Sequence, residues 1–128
     1  MDEPTWLSRQ VVDILHFEQI GEHGGRPGLR DENTLESALA RPRQLFTYRG
    51  TATLPRLAAA LCIGVAKGHP FVDGNKRVAL VATYSFLAVN GLVLDAGEAE
   101  TAETIEAVAA GQLSELALAK WIAAHVRS

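Results

Sequence analysis

The sequence predicts an all-α protein: one compact domain of about six helices. Apolar residues recur with the helical period, most cleanly at Leu54, Leu57, Ala58, Leu61, Cys62 and Val65. Breaks containing glycine or proline separate such stretches at Gly24-Gly25, Pro42, Gly68-His69-Pro70, Asn90-Gly91 and Gly111. No pair of alternating runs flanks a turn in the manner of a strand hairpin, and no segment repeats. At 128 residues a single domain, residues 1–128, is expected, and a 48% hydrophobic content suits a packed core and excludes disorder.

Each element has its own signal. Ser8 suits the cap of a first helix carrying Val11, Val12, Ile14 and Leu15, with Leu7 placed to staple onto Val12, and Gly24-Gly25 ends it. Asp31 caps a short second helix through about Arg41, which Pro42 is expected to stop. Residues Leu45 to Thr53 lack a helical period and read as an exposed turn or flap, open to a partner segment by strand addition. The third helix starts at Leu54 and breaks before Pro70, because the residue preceding proline is pushed out of the helical region. Val78 to Val89 is apolar nearly all round, the pattern of a buried central helix, closed by Asn90-Gly91. Two further helices follow, about Glu98 to Ala110 and Glu115 to Val126, the last capped by Ser114.

Charge and cysteine usage narrow the function classes. A net charge of −3 offers no general attraction for nucleic acid, so no direct nucleic-acid binding is expected. No apolar run approaches about 18 residues and no basic start precedes an apolar stretch, so no membrane partner is expected and the chain reads as cytoplasmic. Cys62 is the only cysteine; within an apolar run it reads as a small core residue, not a nucleophile.

The chemistry concentrates in nine consecutive residues, His69-Pro70-Phe71-Val72-Asp73-Gly74-Asn75-Lys76-Arg77. His69 carries an imidazole, which suits proton abstraction from a hydroxyl. Asp73 is a hard oxygen ligand that suits Mg²⁺ bridging phosphates. Gly74 leaves room for a phosphate, and the following residues open a helix whose free N–H groups favour an anion. Asn75, Lys76 and Arg77 add donors and charge, and Phe71 is expected to anchor the loop in the core. Singly, each has a bland reading: a histidine closing a helix, an Asp-Gly-Asn turn, a solvated Lys-Arg face. Nothing structural requires all of them around one turn. His16, His23 and His125 have no comparable company in the sequence and read as a helix-surface or core-edge residue, a helix-end residue and a terminal residue.

These nine residues resemble the signature loop of the Fic/Doc fold, and specifically its Doc (death-on-curing) toxin branch. The likeness extends to Gly24-Gly25-Arg26-Pro27-Gly28-Leu29-Arg30-Asp31, to Leu35 through Pro42, and to Phe86-Leu87-Ala88-Val89-Asn90-Gly91. The resemblance implies that His69 is the general base, that Asp73 holds Mg²⁺ with the nucleotide phosphates, and that Gly74, Asn75 and Arg77 form the phosphate-binding turn. Lys76 departs from the adenylyl-transferring branch, which has a second glycine there and often an arginine where this chain has Leu80. A long cationic side chain fills the room that glycine leaves, so a triphosphate must sit differently. The Doc branch shares the lysine, and there the nucleotide is thought to bind reversed, so that the γ-phosphate moves. Gly74 stands where the phage-type Doc branch has alanine, so the loop mixes features of both branches.

The resemblance therefore implies a toxin of a toxin–antitoxin system: a protein kinase using ATP as co-substrate and Mg²⁺ as cofactor. Its acceptor would be a Ser or Thr hydroxyl of a translation factor, elongation factor Tu, so that translation is blocked. Many Fic proteins restrain themselves with a Ser/Thr-x-x-x-Glu-Gly/Asn helix. No such string occurs here, so restraint in trans by a cognate Phd-like antitoxin is expected. The alternatives are transfer of AMP or another nucleotide to a protein side chain, a non-catalytic helical binding module, and a metal hydrolase, for which His69 and Asp73 lack further obvious ligands.

Overall fold

The computed structural model describes residues 2–128, and among them it has six helices: α1 (Arg9–His23), α2 (Glu32–Tyr48), α3 (Leu54–Gly68), α4 (Asn75–Val89), α5 (Glu98–Ala109) and α6 (Glu115–His125). This is the all-helical architecture expected from the sequence. None of these helices is long and apolar enough to cross a membrane. The only sheet among the described residues is a two-residue antiparallel pair, β1 (Val93–Leu94) with β2 (Val126–Arg127), which ties the end of the chain beside α4.

The side chains of Ser8, Asp31, Thr53 and Ser114 accept from backbone amides of the first turns of α1, α2, α3 and α6, the role that short polar side chains play at helix starts. The core forms around α3 and α4, with Leu57, Leu61 and Val65 facing Val78, Ala82 and Phe86 in one fully buried cluster. α2 and α6 pack on the remaining faces of α3. The contact of α2 with α3 is close because the facing residues are small. A Cβ on Gly64 would lie 3.0 Å from Ala38 Cα, and one on Gly68 would lie 2.8 Å from Thr34 Cγ2. Cys62 is buried in this core, which pushes its thiol up to about 11; it is a small core residue.

Two expectations are corrected. α2 does not stop at Pro42 but continues to Tyr48 with Pro42 buried inside it. Proline within a helix costs about 3 kcal/mol through its missing N–H and its ring clash. Stopping there would instead uncover Leu45 and Phe46, which pack against the core. Phe46 meets Trp6 edge to face at 5.9 Å, Trp6 stacks on Phe86, and the Arg43 guanidinium lies over Trp6. Burying two large side chains is worth an amount comparable to the proline penalty, so the helix runs on.

The second correction follows. Leu45 to Tyr48 is the last turn of α2, and only residues 49–53 form the largely exposed turn expected there. That turn lies at the N-terminal end of α3, whose 15 residues span about 22 Å, while His69 follows the other end. The segment that does lie against the loop is 24–31.

Candidate active site

α3 hands over to the loop through a strained residue. His69 caps the helix at φ 52°, ψ 55°, the one non-glycine residue with positive φ among the described residues. That left-handed conformation costs on the order of 1–2 kcal/mol for a residue with a Cβ. Neighbouring hydrogen bonds hold it in place. His69 N donates to the Val65 carbonyl at 3.2 Å. Arg30 Nε donates to the His69 carbonyl at 2.5 Å, and Arg30 Nη2 to that of Gly68 at 2.9 Å. The imidazole is thereby left exposed at the protein surface.

The next residues turn inward. Pro70 is buried, and its carbonyl accepts from the amides of Arg30 at 2.7 Å and Asp31 at 3.0 Å. Phe71 is 2% exposed, as expected of the loop's anchor, and its ring stacks on that of His16 at 3.8 Å. Asn75 closes the loop reciprocally: Phe71 N donates to Asn75 Oδ1 and Asn75 Nδ2 donates to the Phe71 carbonyl, both at 3.0 Å. The Asn75 side chain is therefore buried and engaged within the loop, leaving its backbone N–H as the group it offers to a ligand.

Segment 24–31 forms one wall. Leu29 bridges Phe71 in antiparallel fashion and Val72 N donates to the Gly28 carbonyl at 3.0 Å. Arg26 N donates to Asp73 Oδ2 at 3.1 Å and Gly74 N to Asp73 Oδ1 at 3.2 Å. These two amides, the Arg26 bond foremost, together with the nearby Arg77 charge, hold the exposed Asp73 carboxyl below the usual carboxylate range. It is a fixed anion with lone pairs still facing solvent.

α4 then begins at Gly74, with φ 76° and no capping side chain. Glycine takes this conformation without strain, and a Cβ here would lie 3.2 Å from Ile20 Cδ1. The bond from Val78 N to the Gly74 carbonyl, 2.9 Å, opens the ladder, so the amides of Asn75, Lys76 and Arg77 precede it and are available to an anion. Arg77 Nη2 donates to the Gly24 carbonyl at 3.1 Å. Lys76 Nζ is not aimed at the turn; it pairs with Glu106 Oε1 of α5 at 2.6 Å. Lys76 and Arg77 stand at the mouth of a groove of about 410 Å³ between α4 and α5, floored by Leu80, Tyr84 and Ile105. A larger open groove of about 750 Å³, beside Arg43 and Tyr48, lies at the far end of α2 and shares no residue with the loop. Among the described residues, no three or more His, Cys, Asp or Glu side chains are grouped to hold a metal by themselves.

A family model described as the Fic/DOC family matches residues 6–87, which run through α1, segment 24–31, α2, α3, the loop and most of α4. The chain belongs to the Fic/DOC family. This Fic/DOC chain is 45% identical over 94 residues to Toxin Doc of Mycolicibacterium smegmatis, covering 71% of this chain and 68% of that one. It is 32% identical over 109 residues to the protein kinase doc of Escherichia phage P1, covering 84% and 85%.

Of the six site residues expected from the sequence, His69, Asp73, Gly74, Asn75 and Arg77 gather around one turn of this Fic/DOC protein, while the Lys76 side chain leaves it for Glu106. Four contributors were not singled out. His16 is corrected from a residue without company: it is buried, stacks on Phe71 and reaches the Asp73 carbonyl. Arg26 and Arg30 belong to a stretch that carried the family resemblance, which was the available signal. Glu106 sits 30 residues from Lys76, and no local pattern marks it.

Proposed function

We propose that this protein is a Doc-type toxin acting as a protein kinase, moving the ATP γ-phosphate to a Ser or Thr hydroxyl of a translation factor and so blocking translation. Elongation factor Tu is the target that the family resemblance implies, and a Phd-like antitoxin is the expected restraint. The observation that carries this reading is the juxtaposition of three groups: an exposed imidazole in a strained, fixed backbone, an anionic carboxylate four residues on, and a helix N-terminus with no cap of its own. The names of the two relatives support it, and the cytoplasm is the compartment it implies.

Each residue has a chemical part in this reading. The amides at the start of α4 bind the phosphates, with Arg77 adding charge and Lys76 doing so once released from Glu106. The residues present fit Mg²⁺, which binds through one or two carboxylates with substrate phosphates completing its shell; Asp73 would hold it. When bound, the ion neutralises charge on the transferring group. A ring nitrogen of His69 accepts the target hydroxyl proton. The new bond joins that oxygen to the γ-phosphorus, the bond from phosphorus to the β,γ-bridging oxygen breaks, and ADP leaves. Segment 24–31 is the wall along which the target chain is presented.

The test is incubation of elongation factor Tu with this protein and Mg-ATP labelled at either the α or the γ position. Label from the γ position alone is expected, reduced at least about 100-fold by His69→Ala. Label from the α position would replace the kinase by a nucleotidyl transferase. No transfer with either would leave a binding module, and undiminished transfer by the variant would remove His69 from its role.

A further inference from the structure

His16 is in the middle of α1, 57 residues before Asp73, and is 5% exposed. Its Nε2 lies 2.8 Å from the Asp73 carbonyl oxygen. A carbonyl only accepts, so Nε2 carries the hydrogen. The bonded oxygen belongs to the peptide that joins Asp73 to Gly74. Turning that peptide would carry the Gly74 amide away from Asp73 Oδ1 and change the positive φ from which α4 starts. Ile20, one turn further along α1, closes the other side: a Cβ on Gly74 would meet its Cδ1 at 3.2 Å and His16 Nε2 at 3.7 Å. The metal-binding oxygen and the phosphate turn meet at this one peptide, and α1 is the template against which it is set.

Packing alone does not call for histidine here. A leucine or phenylalanine would cover Phe71 without the cost of burying a ring with two polar nitrogens. What histidine adds is one donor held rigidly by its stacking on Phe71. We propose that His16 is a positioning residue, whose Nε2–H fixes the Asp73–Gly74 peptide and thereby aligns the Asp73 carboxylate with the amides of α4. The proposal rests on the functional reading above for what that alignment serves.

Two measurements test it. Long-range proton–nitrogen correlation spectra of the free protein should show His16 as the Nε2–H tautomer; the Nδ1–H tautomer would overturn the proposal, and this readout needs no nucleotide. Binding of Mg-ADP by calorimetry should weaken about tenfold in His16→Phe, which keeps the packing and loses the donor. His16→Gln, whose side-chain amide reaches the same carbonyl, should restore affinity to within about twofold. If His16→Phe does not fold, as judged by circular dichroism, His16→Met serves the same comparison. An apolar variant that binds Mg-ADP as the wild type does, or a glutamine variant as weak as the apolar one, would reduce His16 to a packing residue. Wild-type protein that binds Mg-ADP in this His16-dependent way but transfers no phosphate would sink the kinase and leave the positioning intact.

Discussion

α4 and α5 both start behind a glycine, Gly74 and Gly97, with no side-chain cap, whereas the other four helices carry Ser8, Asp31, Thr53 and Ser114 at that place. From there they diverge. α5 sets Glu98 and Glu100 in its first turn, anions where the helix dipole is positive, and so completes itself. α4 sets Lys76 and Arg77 there, cations at the positive end and unfavourable in isolation. Those cations are drawn sideways, one to Glu106 and the other to the Gly24 carbonyl. α1 and α3 also carry a cation in the first turn, Arg9 and Arg56, but each has a side-chain cap; α4 has neither cap nor first-turn acid, which leaves its amides open to an anion. The difference sets the turn after His69 apart from the otherwise similar start of α5.

This contrast can be broken experimentally. Arg77→Gln removes a cation from the deficient turn, and Mg-ADP affinity is expected to fall about tenfold or more, since a charge-assisted bond to phosphate is worth roughly 1.5–3 kcal/mol. The melting temperature should hold or rise slightly, because a misplaced charge is gone. A marked loss of stability with affinity intact would show that Arg77 is only a tether for Gly24. A smaller change of opposite sign is expected for Glu106→Gln. Opening an exposed ion pair costs roughly 0.2–1 kcal/mol, so releasing Lys76 in advance should tighten Mg-ADP binding by up to about fivefold. The gain should fade at high salt and vanish in a Lys76→Met background; persistence there would place the effect elsewhere in the groove. The smallest effect belongs to α5. Glu98→Gln should lower stability by only about 0.3–1 kcal/mol in denaturant titrations, and a rise in stability would undo the contrast.

The fold was legible in the sequence where its causes are local. Ser8, Asp31 and Ser114 cap the helices they were expected to cap, and the stripe from Leu54 to Val65 faces the core. The misreadings have one physical origin. Pro42 obeys a local rule against helix that the distant partners Trp6 and Phe86 outweigh through Phe46. His16 gains its meaning from Asp73, across a turn and two helices, and Glu106 from Lys76. The site's own nine residues were readable because chain connectivity alone confines them to one volume. Their supports were not, since those come from α1, segment 24–31 and α5.

The small-residue contact between α2 and α3 bears on how rigidly His69 is held. Gly64 against the Ala38 backbone and Gly68 against the Thr34 side chain bring the two helices into close contact over a full turn, immediately before His69. Helices engaged this closely do not slide or part without losing that fit. His69, bolted through Arg30 to the start of α2, is thus the fixed jaw of the cleft. Segment 24–28 on the other side is exposed throughout and is joined to the loop by the bonds from Arg26 N to the Asp73 carboxylate, from Val72 N to the Gly28 carbonyl and from Arg77 to the Gly24 carbonyl. Widening the cleft on that side stretches the bond from Arg26 to Asp73 and leaves the imidazole where it is. Under the proposed function, entry of a target chain on that side and the setting of the Asp73 carboxylate would be mechanically linked.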